Sequence, residues 1–270
     1  MALSILNNIA SIAAQNQVNI TATGLQRTLF RLSSGSRINS GADDAAGLAI
    51  ADGLRANISA LVQSGRNAND GVGNLQVADG AFGQVSNLLN RAITLATEAA
   101  TGTVSSSQRT ALDAEYTAIK AEIDRIGTNT TFNGASVFSA STTSIFLSDG
   151  GSNSTLTTTV GTLSSTGLSL STDLTSASNA ATALGEINTA IATVAGNRGT
   201  VGAVINRLQA AQNVINSQVQ NLTAAEDGIR AADIAQEVAS LTKFSILNQT
   251  GIAALAQANS QQSSVLSLLR

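Results

Sequence analysis

Residues 184–222 read LGEINTAIATVAGNRGTVGAVINRLQAAQNVINSQVQNL. Leu184, Ile187, Ile191, Val194, Val201, Ile205, Leu208, Ile215, Val219 and Leu222 fall on alternating steps of three and four, and only Arg198 and Gln212 interrupt them. Such steps keep one apolar face along a slightly underwound helix, so the spacing predicts a long helix of coiled-coil type. Ala78, Phe82, Val85, Leu89, Ala92, Ala96 and Ala99 keep the same steps, as do Leu112, Tyr116, Ile119, Ile123 and Ile126. Three stripes in one chain imply an antiparallel bundle. A helix over about 43–100 would run on the order of 85 Å at 1.5 Å per residue.

Turn chemistry marks the helix ends. Ser33-Ser34-Gly35-Ser36 breaks the first helix, and Asn39-Ser40-Gly41 with Asp43 and Asp44 leads into an N-cap. Thr101-Gly102-Thr103 through Ser107 separates the next two helices. Thr128-Asn129-Thr130-Thr131 and Asn133-Gly134 close the helical half, the latter pair being a hairpin turn signal. From 126 to 197 there is no Lys or Arg, and Ser and Thr make up about half of 139–179. The alternations Ser144-Ile145-Phe146-Leu147 and Thr157-Thr158-Thr159-Val160 predict a few strands there rather than a polar linker, because β-branched residues are too frequent for a Gly/Ser tether. The expected fold is therefore mainly α, a long antiparallel helical bundle or coiled coil with a small β-hairpin region.

Composition narrows the function. The chain has no Pro, Cys, Trp or His, one Met and one Tyr. Proline removes a donor and clashes with the preceding turn, so its absence suits uninterrupted helix. Without His or Cys neither a Ser-His-Asp triad nor a thiol nucleophile can be built, and the usual zinc sites are excluded. No enzyme, catalytic site, metal site or cofactor is expected. The acidic pairs Asp43-Asp44 and Glu226-Asp227 are adjacent, and adjacent helical residues do not face each other, so caps and solvated faces explain them. A net charge of −3 with only Lys120 and Lys243 among the lysines leaves no basic stripe for nucleic acid. The start, MALSILNNIASIAAQNQ, has no basic n-region or cleavage pattern, and polar residues interrupt every run that approaches the ~20 apolar residues of a membrane span. No membrane partner is expected, and export would need a dedicated route.

The ends are unusual. Residues 1–26 and 244–269 carry no charged side chain. Leu3, Leu6, Ile9 and Ile12 repeat every third residue, and Leu25, Leu29 and Leu32 resume the pattern. Ile234, Val238, Leu241, Ile252 and Leu255 form a stripe at the other end, with Ser245 and Asn248 between. Two uncharged amphipathic ends of equal length read either as ordinary core helices or as surfaces made to be buried by other copies of the chain.

Residues 30–58, FRLSSGSRINSGADDAAGLAIADGLRANI, resemble the N-terminal landmark of bacterial flagellins, and 226–270, ending in ILNQTGIAALAQANSQQSSVLSLLR, resemble their other end. EIDRIGTNTTFNG, residues 122–134, is similar to a third landmark. The resemblance implies a short flagellin without large outer domains. It would have a coiled-coil segment of the inner-tube domain at 1–42, N-terminal helices of a rod domain at 43–134, and a short variable β-hairpin region at 135–180. A C-terminal rod helix at 181–233 and a coiled-coil segment at 234–270 would follow. In this family the ends are disordered in the free chain and pair inside the filament.

The implied function is a structural subunit, exported to the extracellular flagellum filament and polymerised there for motility. The alternative is a hook–filament junction protein of the same family. Implied partners are copies of the chain itself, an export chaperone on roughly 230–270, the type III export apparatus, and filament cap and hook-junction proteins. The same resemblance makes Leu3, Leu6, Ile9, Ile12, Ile234, Val238, Leu241, Ile252 and Leu255 the candidate self-assembly and chaperone-binding residues. It also carries a Toll-like receptor contact onto Arg91, Leu95 and Glu115. Ile93 and Thr94 stand where the family pattern has an Arg and a Glu, so weak or absent receptor activation is expected. The Ser/Thr-rich stretch is a candidate for O-linked glycans, and the Asn-x-Ser/Thr triplets at Asn129 and Asn153 arise readily in so Asn- and Thr-rich a chain.

Overall fold

The computed structural model describes residues 7–140, 142–148 and 155–268, the last seven by backbone alone. Five helices and two hairpins follow in order: α1 (Ile9–Ser34), α2 (Ala45–Ala100), α3 (Ser106–Asn129), β1 (Thr131–Phe132), β2 (Ala135–Ser136), β3 (Thr142–Phe146), β4 (Thr155–Thr159), α4 (Ala177–Arg230) and α5 (Ile234–Leu268). Two compact units result, one made from residues 1–56 and 221–270 and one from 57–220.

The helix ends obey local chemistry. Asn8 caps α1 by accepting from the Ser11 N–H at 2.9 Å, and Gly35 closes it in the left-handed region at φ 69°, where a side chain would be strained. Asp44 accepts from the Gly47 N–H in the first turn of α2. Ser105 and Gln108 make a reciprocal capping box before α3.

In the unit spanning 57–220 the predicted stripes are the core. Ala78, Phe82, Val85, Leu89, Ala92, Ala96 and Ala99 of α2 are all fully buried. Tyr116, Ile119 and Ile123 of α3 join them, with Leu112 and Ile126 packed against the same cluster. Every member of the α4 series up to Val219 is buried or half-buried. The Asp79 carboxylate takes two bonds from Arg198, and Gly71 faces Leu208, so α4 runs antiparallel to α2. Arg91 of α2 pairs with Glu115 of α3 across the 101–105 turn.

The β region is two separate two-stranded antiparallel sheets, β1–β2 and β3–β4. Asn133 and Gly134 hold φ 49° and 79° between Phe132 and its partner Ala135, the mirror-image turn that matches strand twist. In the second hairpin Ile145 and Leu156 are paired and buried. The stretch after β4 is irregular yet fixed. Leu163, Leu168, Leu170 and Leu174 are buried, and carboxylates on the flanking helices accept its polar groups. Asp124 accepts from Ser165, Glu186 from Ser171 and Thr172, and Asp113 from the Leu174 N–H. A segment without Lys or Arg thus finds its anions on α3 and α4.

Among the described residues one helix, α2, is long and apolar enough by length and composition alone to cross a membrane. Polar and charged residues, Asp52, Arg55 and Asn57 among them, interrupt the apolar run at its start.

Candidate assembly surface

The terminal unit is built on the pairing of α1 with α5. Asn8 donates to the Ala258 carbonyl, Val18 packs on Gly251, Gly24 on Phe244, and Arg31 reaches Glu237. As the α1 number climbs from 8 to 31 the α5 number falls from 258 to 237, so the helices are antiparallel. Gly24 and Gly251 are holes for Phe244 and Val18, since a Cβ at either would lie 2.7–2.8 Å from those side chains. Phe244 and Val18 thereby fix the register of the pair.

The seam mixes small and polar residues with a few larger apolar ones. On α1 it follows Ser11, Ala14, Val18, Thr21, Leu25, Thr28 and Leu32, of which only the two threonines are fully buried. On α5 it follows Glu237, Leu241, Phe244, Asn248, Gly251, Leu255 and Ala258. The large aliphatic and aromatic side chains mostly point elsewhere. Ile9 is 73% exposed, Ile20 63% and Phe30 71%, and Ile12, Leu29, Ile246 and Leu247 are exposed as well. Relative to the seam these positions lie on the back and on both flanks. A helix that is apolar all round is ordinarily buried.

The candidate residues divide accordingly. Leu241 and Leu255 lie in the seam, half-buried against α1. Ile234, Val238 and Ile252 were grouped with them by spacing, but they are exposed. The seam runs through Glu237, Phe244 and Gly251 instead, which displaces Val238 and Ile252 to one side, while Ile234 stands three residues before Glu237, at the level where α1 ends. Ile9 and Ile12 are exposed and outside the seam, while Leu3 and Leu6 lie outside the described residues. Ile20, Phe30, Ile246 and Leu247 were missed, although an uncharged helix with large apolar residues off its stripe is the signal that finds them.

Charged groups cluster where the ends of α1 and α4 meet. Arg31 sits 3.4 Å from Glu237 and 3.9 Å from Asp43. The Arg37 N–H donates to the Arg230 carbonyl and the Ala232 N–H to that of Gly35, and Arg230 approaches Asp52 and Glu226 at 3.8 Å each. The Ser40 hydroxyl and the Asn39 N–H, with Arg31 nearby, hold the Asp43 carboxyl below its ordinary range. These links clasp the loop after α1 to the junction before α5.

In the other unit, Arg91 donates two bonds to Glu115, at 2.7 and 3.1 Å, and this pairing lowers the glutamate's pKa. Leu95 is 1% exposed. The expected receptor contact at Leu95 is corrected on that ground, because a side chain inside the core cannot meet a macromolecule without unpacking. Among the described residues no group of three or more acidic, His or Cys side chains could hold a metal.

Residues 5–143 match the bacterial flagellin N-terminal helical region, and residues 184–269 match the bacterial flagellin C-terminal helical region. The chain belongs to the bacterial flagellin family. It is similar to the flagellin of Halalkalibacterium halodurans, 36% identical over 98% of both chains. The flagellin of Bacillus subtilis is 33% identical over 99% of this chain and 100% of that one. Flagellin FlaB2 of Treponema pallidum is 33% identical over 98% and 99%. Coverage this complete in both directions agrees with a short form of the family. Among solved structures, Bacillus cereus flagellin covers 60% of this chain and 94% of its own at 35% identity, with a TM-score of 0.50. A putative flagellar hook-associated protein from Vibrio parahaemolyticus shares the fold at 13% identity and a TM-score of 0.59. Flagellins are a structural family, and that is the class to which this chain belongs.

Proposed function

We propose that the chain is exported and polymerises into the extracellular flagellar filament by burying the outer faces of α1 and α5 against identical neighbours. The observation that carries this is the exposure of most large apolar side chains of the pair, Ile9, Ile20, Phe30, Ile246 and Ile252 among them, on helices whose seam takes up only a few. In a lone chain that arrangement leaves apolar area in water; surrounded on several sides it gains that area. The uncharged flanks fit the same purpose, since a charge carried into a crowded interior is costly unless paired.

An export chaperone that covers roughly 230–270 before assembly would shield the same faces, Ile234, Val238 and Ile252 among them, by holding an amphipathic helix in a groove. The type III export apparatus, filament cap and hook-junction proteins are the remaining partners of this reading. For a Toll-like receptor the exposed Arg91–Glu115 pair is the available contact. With Leu95 buried and Ile93 and Thr94 uncharged, activation would be weak.

Purified chain mixed with sheared filament seeds and viewed by electron microscopy tests the proposal. Long extensions are expected from the intact chain and none from one lacking 244–270. Extension by the truncated chain would refute the role of α5, and short caps in place of long growth would favour a hook–filament junction role.

A further inference from the structure

Charges on the terminal pair are few. α1 holds Arg27 and Arg31, and α5 holds Glu237 and Lys243. Arg31 and Glu237 pair with each other. Arg27 and Lys243 remain, both exposed and neither with an ion-pair partner among the described residues. They lie close together. Gly24 packs on Phe244 and Arg31 reaches Glu237, so the two cations sit within about one helical turn of each other along the pair. Each follows a seam leucine by two positions, Leu25 and Leu241, and equivalent heptad positions of an antiparallel pair share a flank. Ile20, one heptad before Arg27, and Leu247, one turn after Lys243, lie exposed on that flank. Two cations therefore stand beside two bare aliphatic side chains on a surface otherwise poor in charge.

A complement lies in the same unit. Asp227 and Asp233, at the α4–α5 junction, are exposed and have no ion-pair partner among the described residues. The Asp233 carboxylate accepts only from the Gln236 N–H, as a cap. Ile234 and Val238 are exposed beside it. Asp233 and Lys243 are separated by ten residues of helix, about 15 Å, so they cannot pair within one chain.

We infer that the Arg27–Lys243 flank of one chain docks on the Asp227–Asp233 junction of a second copy, with Ile20 and Leu247 meeting Ile234 and Val238. The two patches differ and sit at different levels of the unit. The contact is thus head-to-tail, each copy offers one patch with the other still free, and addition does not close. Ion pairs at such a contact fix register and exclude wrong alignments more than they add affinity. The inference rests on the polymerisation proposed above and adds the residues that set the axial register between neighbours.

Two altered chains, R27E/K243E and D227K/D233N, test it, the asparagine retaining the cap on Gln236. All four positions are exposed, and circular dichroism melts should match those of the unaltered chain. In low salt each altered chain is expected to need at least about tenfold more protein to polymerise on its own, whereas a chain carrying all four substitutions should return to within about threefold of the unaltered one. The deficit of the two-fold variants should shrink as salt rises. Polymerisation of either altered chain at the unaltered concentration, or no recovery in the four-fold chain, would overturn the docking. The unaltered chain, grown alongside on filament seeds, separates the two ideas: its own failure to grow would sink the assembly proposal, not the register alone.

Discussion

Replacing Phe30 by Ala perturbs assembly while leaving the free chain nearly untouched. The ring is 71% exposed, on the back of α1, and belongs to neither the α1–α5 seam nor a cap. A phenylalanine presents roughly 200 Å², so about 140 Å² of Phe30 meets water. Alanine keeps about 40 Å² of this, and the remaining 100 Å² at ~25 cal/mol per Å² gives about 2.5 kcal/mol when neighbours cover the face fully. That corresponds to a rise of about 70-fold in the concentration needed for growth. Stability of the free chain should shift by no more than ~0.5 kcal/mol, as for other surface substitutions. Sedimentation of polymer grown on seeds over a concentration series measures the first quantity, and a thermal melt followed by circular dichroism measures the second. Equal critical concentrations for Phe30→Ala and the unaltered chain would refute the idea that this face is covered in the filament. A large loss of monomer stability would show instead that the ring already supports the fold.

Two further outcomes concern the unit spanning 57–220. At Gly127 a Cβ would collide with the Leu163 carbonyl oxygen, a backbone atom that cannot swing away, so Gly127→Ala should cost about 1–3 kcal/mol or more in denaturant unfolding. An unchanged midpoint would mean that the stretch after β4 does not pack on α3. Tyr116, the sole tyrosine in a chain without tryptophan, is buried near Glu186 and Asp113, and burial first, then those charges, push its pKa up to about 12. A raised folded pKa means that its stabilising contribution is complete below pH ~10 and is lost as pH climbs toward 12, an amount of order 2–3 kcal/mol. Absorbance at 295 nm should therefore titrate near 12, together with unfolding; a simple titration near 10 in a folded chain would contradict the burial.

Much of the helical bundle was legible because its core follows the simplest rule. Where α2, α3 and α4 pack, large apolar residues occupy the seam at steps of three and four, and spacing alone finds Phe82, Ile123, Ile187 and Leu208. The Asn133-Gly134 turn was equally plain, since both residues tolerate positive φ. The terminal pair defeats the same rule. Its seam interleaves Val18, Leu25, Leu241 and Phe244 with Ser11, Thr21 and Gly251, so apolar spacing alone drew Val238 and Ile252 onto a line that the packing does not use. The order of the stretch after β4 was hidden for another reason: its anchors are carboxylates on the flanking helices, Glu186 on the helix that follows and Asp113 and Asp124 on α3, 41 to 61 residues away. Leu95 shows the remaining gap. A resemblance carries a position across but not its side-chain direction, which here points into the core.

Hydrogen exchange on the chain free and in grown filaments tests most directly whether identical copies bury the terminal helices. Amides of α1 and α5 are expected to slow by two orders of magnitude or more on assembly, roughly the exchange equivalent of 3 kcal/mol, while the core amides of α2 and α4 change little. Equal exchange of α1 and α5 in both states, inside filaments that contain this chain, would contradict the account.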